Sequence, residues 1–76
     1  MRVLKPISGK KCLKILCNEF GFRTVRQRGS HVVLRKETSN GPVGTVVPLH
    51  EELKCPTLRN ILKLANIREE EFSEYL

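Results

Sequence analysis

The chain has 76 residues, enough for one modest core, so neither a second domain nor a large substrate pocket is expected. Its 39% hydrophobic and 29% charged residues exclude a disordered chain. The 14 Lys and Arg residues and 8 Glu residues give a formal net charge of +6. Four of the glutamates lie at positions 69, 70, 71 and 74, so residues 1–68 hold 14 basic and 4 acidic side chains, a net charge of +10. A positive charge of this size favours binding to the phosphates of RNA or DNA, although it also serves simply to keep a protein surface hydrated.

The first predicted element is a helix that Ser8 caps and Gly21 ends. Its apolar residues recur with the helical period along one side: Cys12, Leu13, Leu16, Cys17 and Phe20. The opposite side carries Lys11, Lys14 and Asn18, so the helix presents a basic outer stripe.

Two strands are predicted next, over residues 22–28 and from His31 onward, because both stretches are rich in β-branched and long side chains. Gly29 and Ser30 between them predict a tight turn or a bulge. Residues 37–44, ETSNGPVG, concentrate turn-forming residues and predict a longer connection. A short third strand over residues 45–49, stopped by its proline, would complete an antiparallel meander.

A second helix is predicted to start at the segment Cys55-Pro56-Thr57, since a proline at the first helical position costs no hydrogen bond. Its apolar residues follow at helical spacing: Leu58, Ile61, Leu62 and Ala65. Residues 69–76 are predicted to form an acidic turn or short helix, because glutamates are favourable at a helix N-terminus. The order α-β-β-β-α predicts an α+β fold with a three-stranded antiparallel sheet and both helices on one face.

The alternation of side chains along a strand predicts where the histidine of the second strand points. If Val32 and Leu34 face the helices, then His31, Val33 and Arg35 face the open side of the sheet. The imidazole is then accessible to a ligand. The alternative is that its ring only satisfies backbone groups of the turn.

A family resemblance is carried by four segments in this order: Phe20-Gly21-Phe22, Gly29-Ser30-His31, Val47-Pro48-Leu49-His50 and Thr57-Leu58-Arg59-Asn60-Ile61-Leu62. They are the most specific parts of a similarity that spans nearly the whole chain, from Ser8 to Leu76. The sequence resembles the HicA (YcfA-like) toxins of HicAB toxin–antitoxin systems.

The resemblance implies a double-stranded-RNA-binding-domain-like fold in a single domain, residues 1–76, with an N-terminal segment at residues 1–7. It also implies a type II toxin that is a ribosome-independent mRNA interferase, an endoribonuclease silenced by a HicB-like antitoxin. The functional histidine of the family lies in its Gly-Ser-His motif, which in this chain is His31.

Metal-free RNA cleavage uses the neighbouring 2′-hydroxyl as nucleophile, so a protein must remove one proton, supply another to the leaving 5′-oxygen and stabilise charge on the phosphate. Imidazole suits these transfers because it titrates near neutral pH. We therefore assign the catalytic role to His31. The other imidazole, His50, is either the second proton carrier or a loop residue that supports the turn before Glu51, and the sequence leaves both open.

The residues predicted to bind RNA flank His31 or belong to the basic helix stripe: Arg26, Arg28, Gly29, Ser30, Arg35, Lys11 and Lys14. A guanidinium can hold two phosphate oxygens at once, a glycine lets the backbone approach the ligand, and a hydroxyl can donate a hydrogen bond. Glu37, Glu51 and Glu52 are predicted to be solvated loop charges, so neither a metal nor another cofactor is expected.

The cysteines Cys12, Cys17 and Cys55 are odd in number and lack the spacing of a zinc site, which predicts reduced thiols. The N-terminal residues lack the apolar core of a signal peptide, and no apolar run approaches the length of a membrane span. We therefore expect a cytoplasmic protein with no membrane partner.

Two other functions fit the same features. A non-catalytic module with this fold would hold double-stranded RNA by its shape, through phosphate and 2′-hydroxyl contacts, with His31 as one more contact. A protein-interaction domain would use the sheet face around Val33. A binding module does not require the Gly-Ser-His turn, so the sequence favours the enzyme.

Overall fold

The computed structural model describes residues 3–76, so Met1 and Arg2 of the predicted N-terminal segment lie outside the described residues. The elements in chain order are α1 (Gly9–Phe20), β1 (Arg23–Arg28), β2 (His31–Thr38), β3 (Gly41–Pro48), α2 (Cys55–Leu64) and α3 (Glu69–Ser73). The strands form one antiparallel sheet in the order β1-β2-β3, and the helices cover one face of it. The predicted α+β fold is confirmed. Across residues 3–76, none of the helices combines the length and the apolar character that crossing a bilayer requires.

Helix α1 begins and ends at the predicted residues. The Ser8 hydroxyl accepts a hydrogen bond from the backbone N–H of Lys11 at 3.0 Å. At the other end, Gly21 adopts the left-handed conformation with φ 76°, and its N–H donates to the carbonyl of Leu16. Both interactions satisfy helix-end groups that would otherwise lack partners.

The predicted long turn over residues 37–44 is wrong. Strand β2 continues to Thr38 and β3 starts at Gly41, so the connection is the two-residue turn Ser39-Asn40. The Thr38 hydroxyl stabilises it by accepting from the N–H of Asn40 and donating to the carbonyl of Gly41 at 2.6 Å. Pro42 does not interrupt β3, because an edge strand leaves one row of N–H positions unpaired. The third strand is therefore Gly41–Pro48 rather than residues 45–49.

The core lies between the sheet and the helices. Its fully buried side chains come from every layer: Phe72, Leu16, Leu34, Leu53, Leu58, Leu62, Val32, Val47 and Cys12. One polar contact crosses this core, in which the buried Thr45 hydroxyl donates to the Ile61 carbonyl at 2.8 Å. It ties the edge strand β3 to α2 and satisfies a hydroxyl that would otherwise be costly to bury.

The start of α1 packs tightly against the chain that leaves β3. Ile7 and Leu53 form an antiparallel bridge, and the N–H of Gly9 donates to the carbonyl of His50 at 2.9 Å. A Cβ atom on Gly9 would overlap the carbonyl oxygen of Pro48 and lie 2.9 Å from the Cα of Leu49. Because both neighbours are backbone atoms, position 9 has room for a glycine only.

We predict that Gly9→Ala lowers the free energy of unfolding by about 1–3 kcal/mol, the usual cost of overpacking. Urea unfolding followed by circular dichroism measures it. The matched control is Lys10→Ala at the next position of the same helix, where the side chain is exposed, and this variant should stay within about 0.5 kcal/mol of the parent. Equal stability of Gly9→Ala and the parent protein would show that the segment after β3 is not held tightly against α1.

Candidate active site on the open sheet face

The sheet face away from the helices carries the predicted histidine. Val32 and Leu34 are buried against the helices, whereas His31 and Arg35 are exposed and Val33 is half-buried, as strand alternation predicts. His31 is the first residue of the central strand, between Arg28 on β1 and Pro48 on β3. Its imidazole is therefore accessible at the end of the sheet where the β1–β2 turn lies.

This turn is the predicted Gly29-Ser30 pair. Gly29 has φ 58°, a left-handed conformation that glycine adopts without strain, and no atom lies within 4 Å of the place where a Cβ would be. The Ser30 carbonyl accepts a hydrogen bond from the N–H of Leu49 at 2.6 Å. The turn is thus fixed to the chain that leaves β3.

A β-bulge in β1 determines which arginines share the face with His31. The pairing with β2 shifts by one residue between Thr24 and Arg26, so that Arg23 lies opposite Arg35, Arg26 opposite Val33 and Arg28 opposite His31. Residues directly opposite one another in an antiparallel pair share a face. The three arginines of β1 therefore lie on the open face.

Without the bulge, Arg23 and Arg26 would point to opposite faces, because they are three positions apart on a strand with a period of two. Arg23 was not among the predicted site residues, and the bulge brings it to the same face as Arg26. Nothing in the segment RTVRQR signals the extra residue, since the bulge arises from pairing with β2.

The arginines differ in their existing partners. Arg35 forms an ion pair with Glu37, with Nε and the carboxylate oxygen 2.9 Å apart. Among residues 3–76, Arg23, Arg26 and Arg28 form no ion pair. A phosphate would compete with Glu37 for Arg35, whereas the β1 guanidiniums are available.

A shallow depression of about 530 Å³ lies in the middle of this face. Val25, Val33 and Pro42 contribute apolar walls, and Arg26 and Arg35 contribute charge. Gly44 leaves the space opposite Arg35 open. The depression combines an apolar floor with guanidinium edges, which suits a nucleotide base and its phosphate or a protein side chain.

The structure brings the second imidazole to the first. The ring centroids of His31 and His50 lie 6.4 Å apart, with the ring planes at 74°, and both residues are exposed. His50 also borders a depression of about 270 Å³ that is lined by Ser8, Lys10 and Glu51. Lys10 was not predicted as a site residue, because only the packing of α1 on the chain after β3 places it there.

Lys11 and Lys14 lie elsewhere. Both are exposed on α1 and border a separate depression with Asn18 and Tyr75. Helix α1 covers the sheet face opposite to the β1 arginines. The predicted RNA-binding residues therefore occupy two surfaces, and the structure does not bring these two lysines to His31.

The cysteines are free, as predicted. Burial raises the pKa of the Cys12 thiol to about 12, so it is no nucleophile at neutral pH. Within residues 3–76, no group of three or more His, Cys, Asp or Glu side chains is placed to hold a metal ion.

Comparison with protein families identifies a relationship for most of the chain. A family model described as "HicA toxin of bacterial toxin-antitoxin" matches residues 9–67. The matched region includes His31, His50 and the three β1 arginines. Comparison with curated proteins and with solved structures gives no match.

Proposed function

The chain belongs to the HicA toxin family of bacterial toxin–antitoxin systems, and from that membership we propose that it is a metal-independent endoribonuclease that cleaves mRNA with His31 as acid or base. The observation that carries the proposal is the exposed His31 imidazole at the end of a sheet face that also holds the β1 arginines. Membership in the family implies an antitoxin partner.

The proposed reaction needs only groups of the chain and the RNA. The 2′-oxygen attacks the adjacent phosphorus, its proton passes to an imidazole, and the bond to the 5′-oxygen breaks. The products are a 2′,3′-cyclic phosphate and a 5′-hydroxyl, which takes up one proton. Guanidinium groups stabilise the negative charge that builds on the non-bridging oxygens.

The open face suits a single strand. The face is only three strands wide, and the depression at its centre is lined by apolar side chains and by guanidinium groups. Single strands are held by cationic side chains along the backbone and by contacts to unstacked bases. We assign the phosphates of the bound strand to Arg23, Arg26 and Arg28, and the phosphate nearest the turn to Arg28, Gly29 and Ser30.

A non-catalytic double-stranded-RNA-binding module is the second candidate. The observation that favours it is the exposed pair Lys11 and Lys14 on α1, remote from the His31 face. Such a module uses helix and loop cations to contact a duplex, without need of an imidazole pair. The two candidates therefore predict different contact surfaces on the same fold.

An antitoxin would silence the proposed enzyme most directly by covering the open face. The exposed Val25 and Val46 and the half-buried Val33 give that face an apolar centre with a cationic rim, as protein interfaces often have. We propose a HicB-like partner of complementary acidic charge. Because the substrate is mRNA, we place the reaction in the cytoplasm.

We predict that His31→Ala abolishes RNA cleavage and leaves the fold intact. Loss of a positioned acid or base typically lowers the rate by about 10²–10⁴, whereas replacing an exposed residue changes stability by about 0.5 kcal/mol or less. Purified parent and variant are compared on a mixed-sequence RNA in EDTA, with thermal unfolding in parallel. Undiminished cleavage by a folded His31→Ala protein would remove His31 from the site, and parent activity that vanishes in EDTA would overturn the metal-free mechanism.

We also predict that Arg23 and Arg26 bind phosphate. Each guanidinium removed should reduce the log–log salt slope of single-stranded RNA binding by about 0.7, and both together by about 1.4, because fewer counterions are released. Binding is measured with the double variant Arg23→Ala/Arg26→Ala in a His31→Ala background, so that the RNA stays intact. Lys63→Ala is the matched control, an exposed cation on α2 at the other face of the sheet. An unchanged slope in the double variant, or an equal change in the control, would place the RNA elsewhere.

A further inference from the structure

We propose that His50 is the second catalytic group of this chain and exchanges the proton that His31 does not. The inference rests on the proposed endoribonuclease function and deepens it by naming the second acid–base residue. Three observations carry it: the distance between the imidazoles, the hydrogen bonds that fix their backbones, and the absence of space at Gly9.

The first observation is the distance. A general acid or base reaches its proton partner over about 3 Å. The ring centroids of His31 and His50 lie 6.4 Å apart, and the rings are nearly perpendicular rather than stacked. A phosphodiester between them can therefore present its 2′-oxygen to one ring and its 5′-oxygen to the other.

The second observation is that both residues sit on fixed backbone. The N–H of Leu49 donates to the carbonyl of Ser30, so the residues that precede His50 and His31 are directly bonded at 2.6 Å. The carbonyl of His50 itself accepts from the N–H of Gly9 at 2.9 Å. These bonds hold the two backbone segments that carry the imidazoles at a fixed separation, which keeps both rings within reach of a single phosphate.

The third observation explains why α1 starts with a glycine. A side chain at position 9 would overlap the Pro48 carbonyl and push the segment that carries His50 away from the sheet. The close approach of α1 thus sets the position of an exposed, polar segment as well as the packing of the core. A glycine at the start of a helix loses more backbone entropy on folding than other residues do. Its presence here is explained if the close approach of α1 is needed to position His50.

The proton balance requires two groups. One neutral imidazole takes the proton from the 2′-hydroxyl while a second, protonated imidazole gives its proton to the departing 5′-oxygen. After the step the two rings have exchanged charge states, and solvent restores them. A lone histidine cannot hold a proton and be free of it in the same step, so a pair accounts for a reaction that His31 alone does not.

The other explanation of the geometry is packing. Perpendicular aromatic rings at this distance attract each other. In this explanation His50 orients the ring of His31 and transfers no proton. The variant His50→Phe separates these roles, because phenylalanine keeps the ring and its edge contact but transfers no proton. His50→Gln is a second variant that keeps a polar side chain of similar length.

The test uses the full chain and two RNA oligonucleotides of the same sequence, one with ordinary linkages and one with sulfur in place of the 5′-oxygen at the mapped cleavage site. A thiolate leaves without protonation, so the sulfur RNA needs no general acid. We expect His50→Phe and His50→Gln to cleave ordinary RNA at least about 100-fold more slowly than the parent, as loss of acid–base catalysis predicts. With the sulfur RNA, we expect recovery of cleavage in either the His50 variants or His31→Ala, and not in both.

Cleavage of ordinary RNA by a folded His50→Phe protein within threefold of the parent would overturn the inference and leave His50 a packing residue. Slow cleavage with no recovery in any variant on the sulfur RNA would also overturn it. If the parent protein cleaves neither RNA, the proposed endoribonuclease function itself fails. This outcome differs from failure of the His50 inference, because it is seen with the parent protein alone. Thermal unfolding of each variant confirms that the comparison concerns folded proteins.

Discussion

The contact between the first residue of α1 and the chain that leaves β3 is the constraint on which the site depends. Gly9 donates to the His50 carbonyl and leaves no space for a side chain against Pro48 and Leu49. Since Leu49 in turn donates to Ser30, the helix start, the end of the edge strand and the β1–β2 turn form one hydrogen-bonded unit. The two imidazoles extend from this unit. Without these bonds the segment after β3 would not hold the imidazole of His50 close to that of His31.

The bulge in β1 is the second determinant, and it acts on charge rather than on the imidazoles. By shifting the register between Thr24 and Arg26, it aligns Arg23, Arg26 and Arg28 on the face that His31 shares. The opposite face of the same sheet is occupied by the core, to which β2 contributes Val32 and Leu34. One face of the sheet is therefore buried under the helices and contributes to stability, whereas the other is exposed and carries the proposed binding site for RNA and antitoxin.

Features that depend on local sequence were predictable. The Ser8 and Gly21 helix ends, the Gly29-Ser30 turn and the outward direction of His31 follow from capping, turn chemistry and alternation, and the structure agrees with them. Features that depend on pairing were not. The length of β3 was underestimated because Pro42 and Gly44 are typical of turns, yet an edge strand tolerates both. The bulge and the approach of His50 to His31 arise only when segments distant in sequence pack together, and no local residue pattern predicts them. The ion pair of Arg35 with Glu37 depends on β2 extending through residue 37, where the local sequence predicts a turn.

The proposed site holds one RNA phosphate between the turn, the β1 arginines and the two imidazoles. An NMR titration of the isotope-labelled chain tests this arrangement most directly, with a single-stranded RNA whose 2′-oxygens are methylated, so that it binds but cannot be cleaved. We expect shifts of the imidazole signals of His31 and His50 and of the guanidinium signals of Arg23, Arg26 and Arg28, all with the same midpoint. Shifts confined to Lys11, Lys14 and their neighbours on α1, with both imidazoles unchanged, would contradict the arrangement and favour a duplex-binding module.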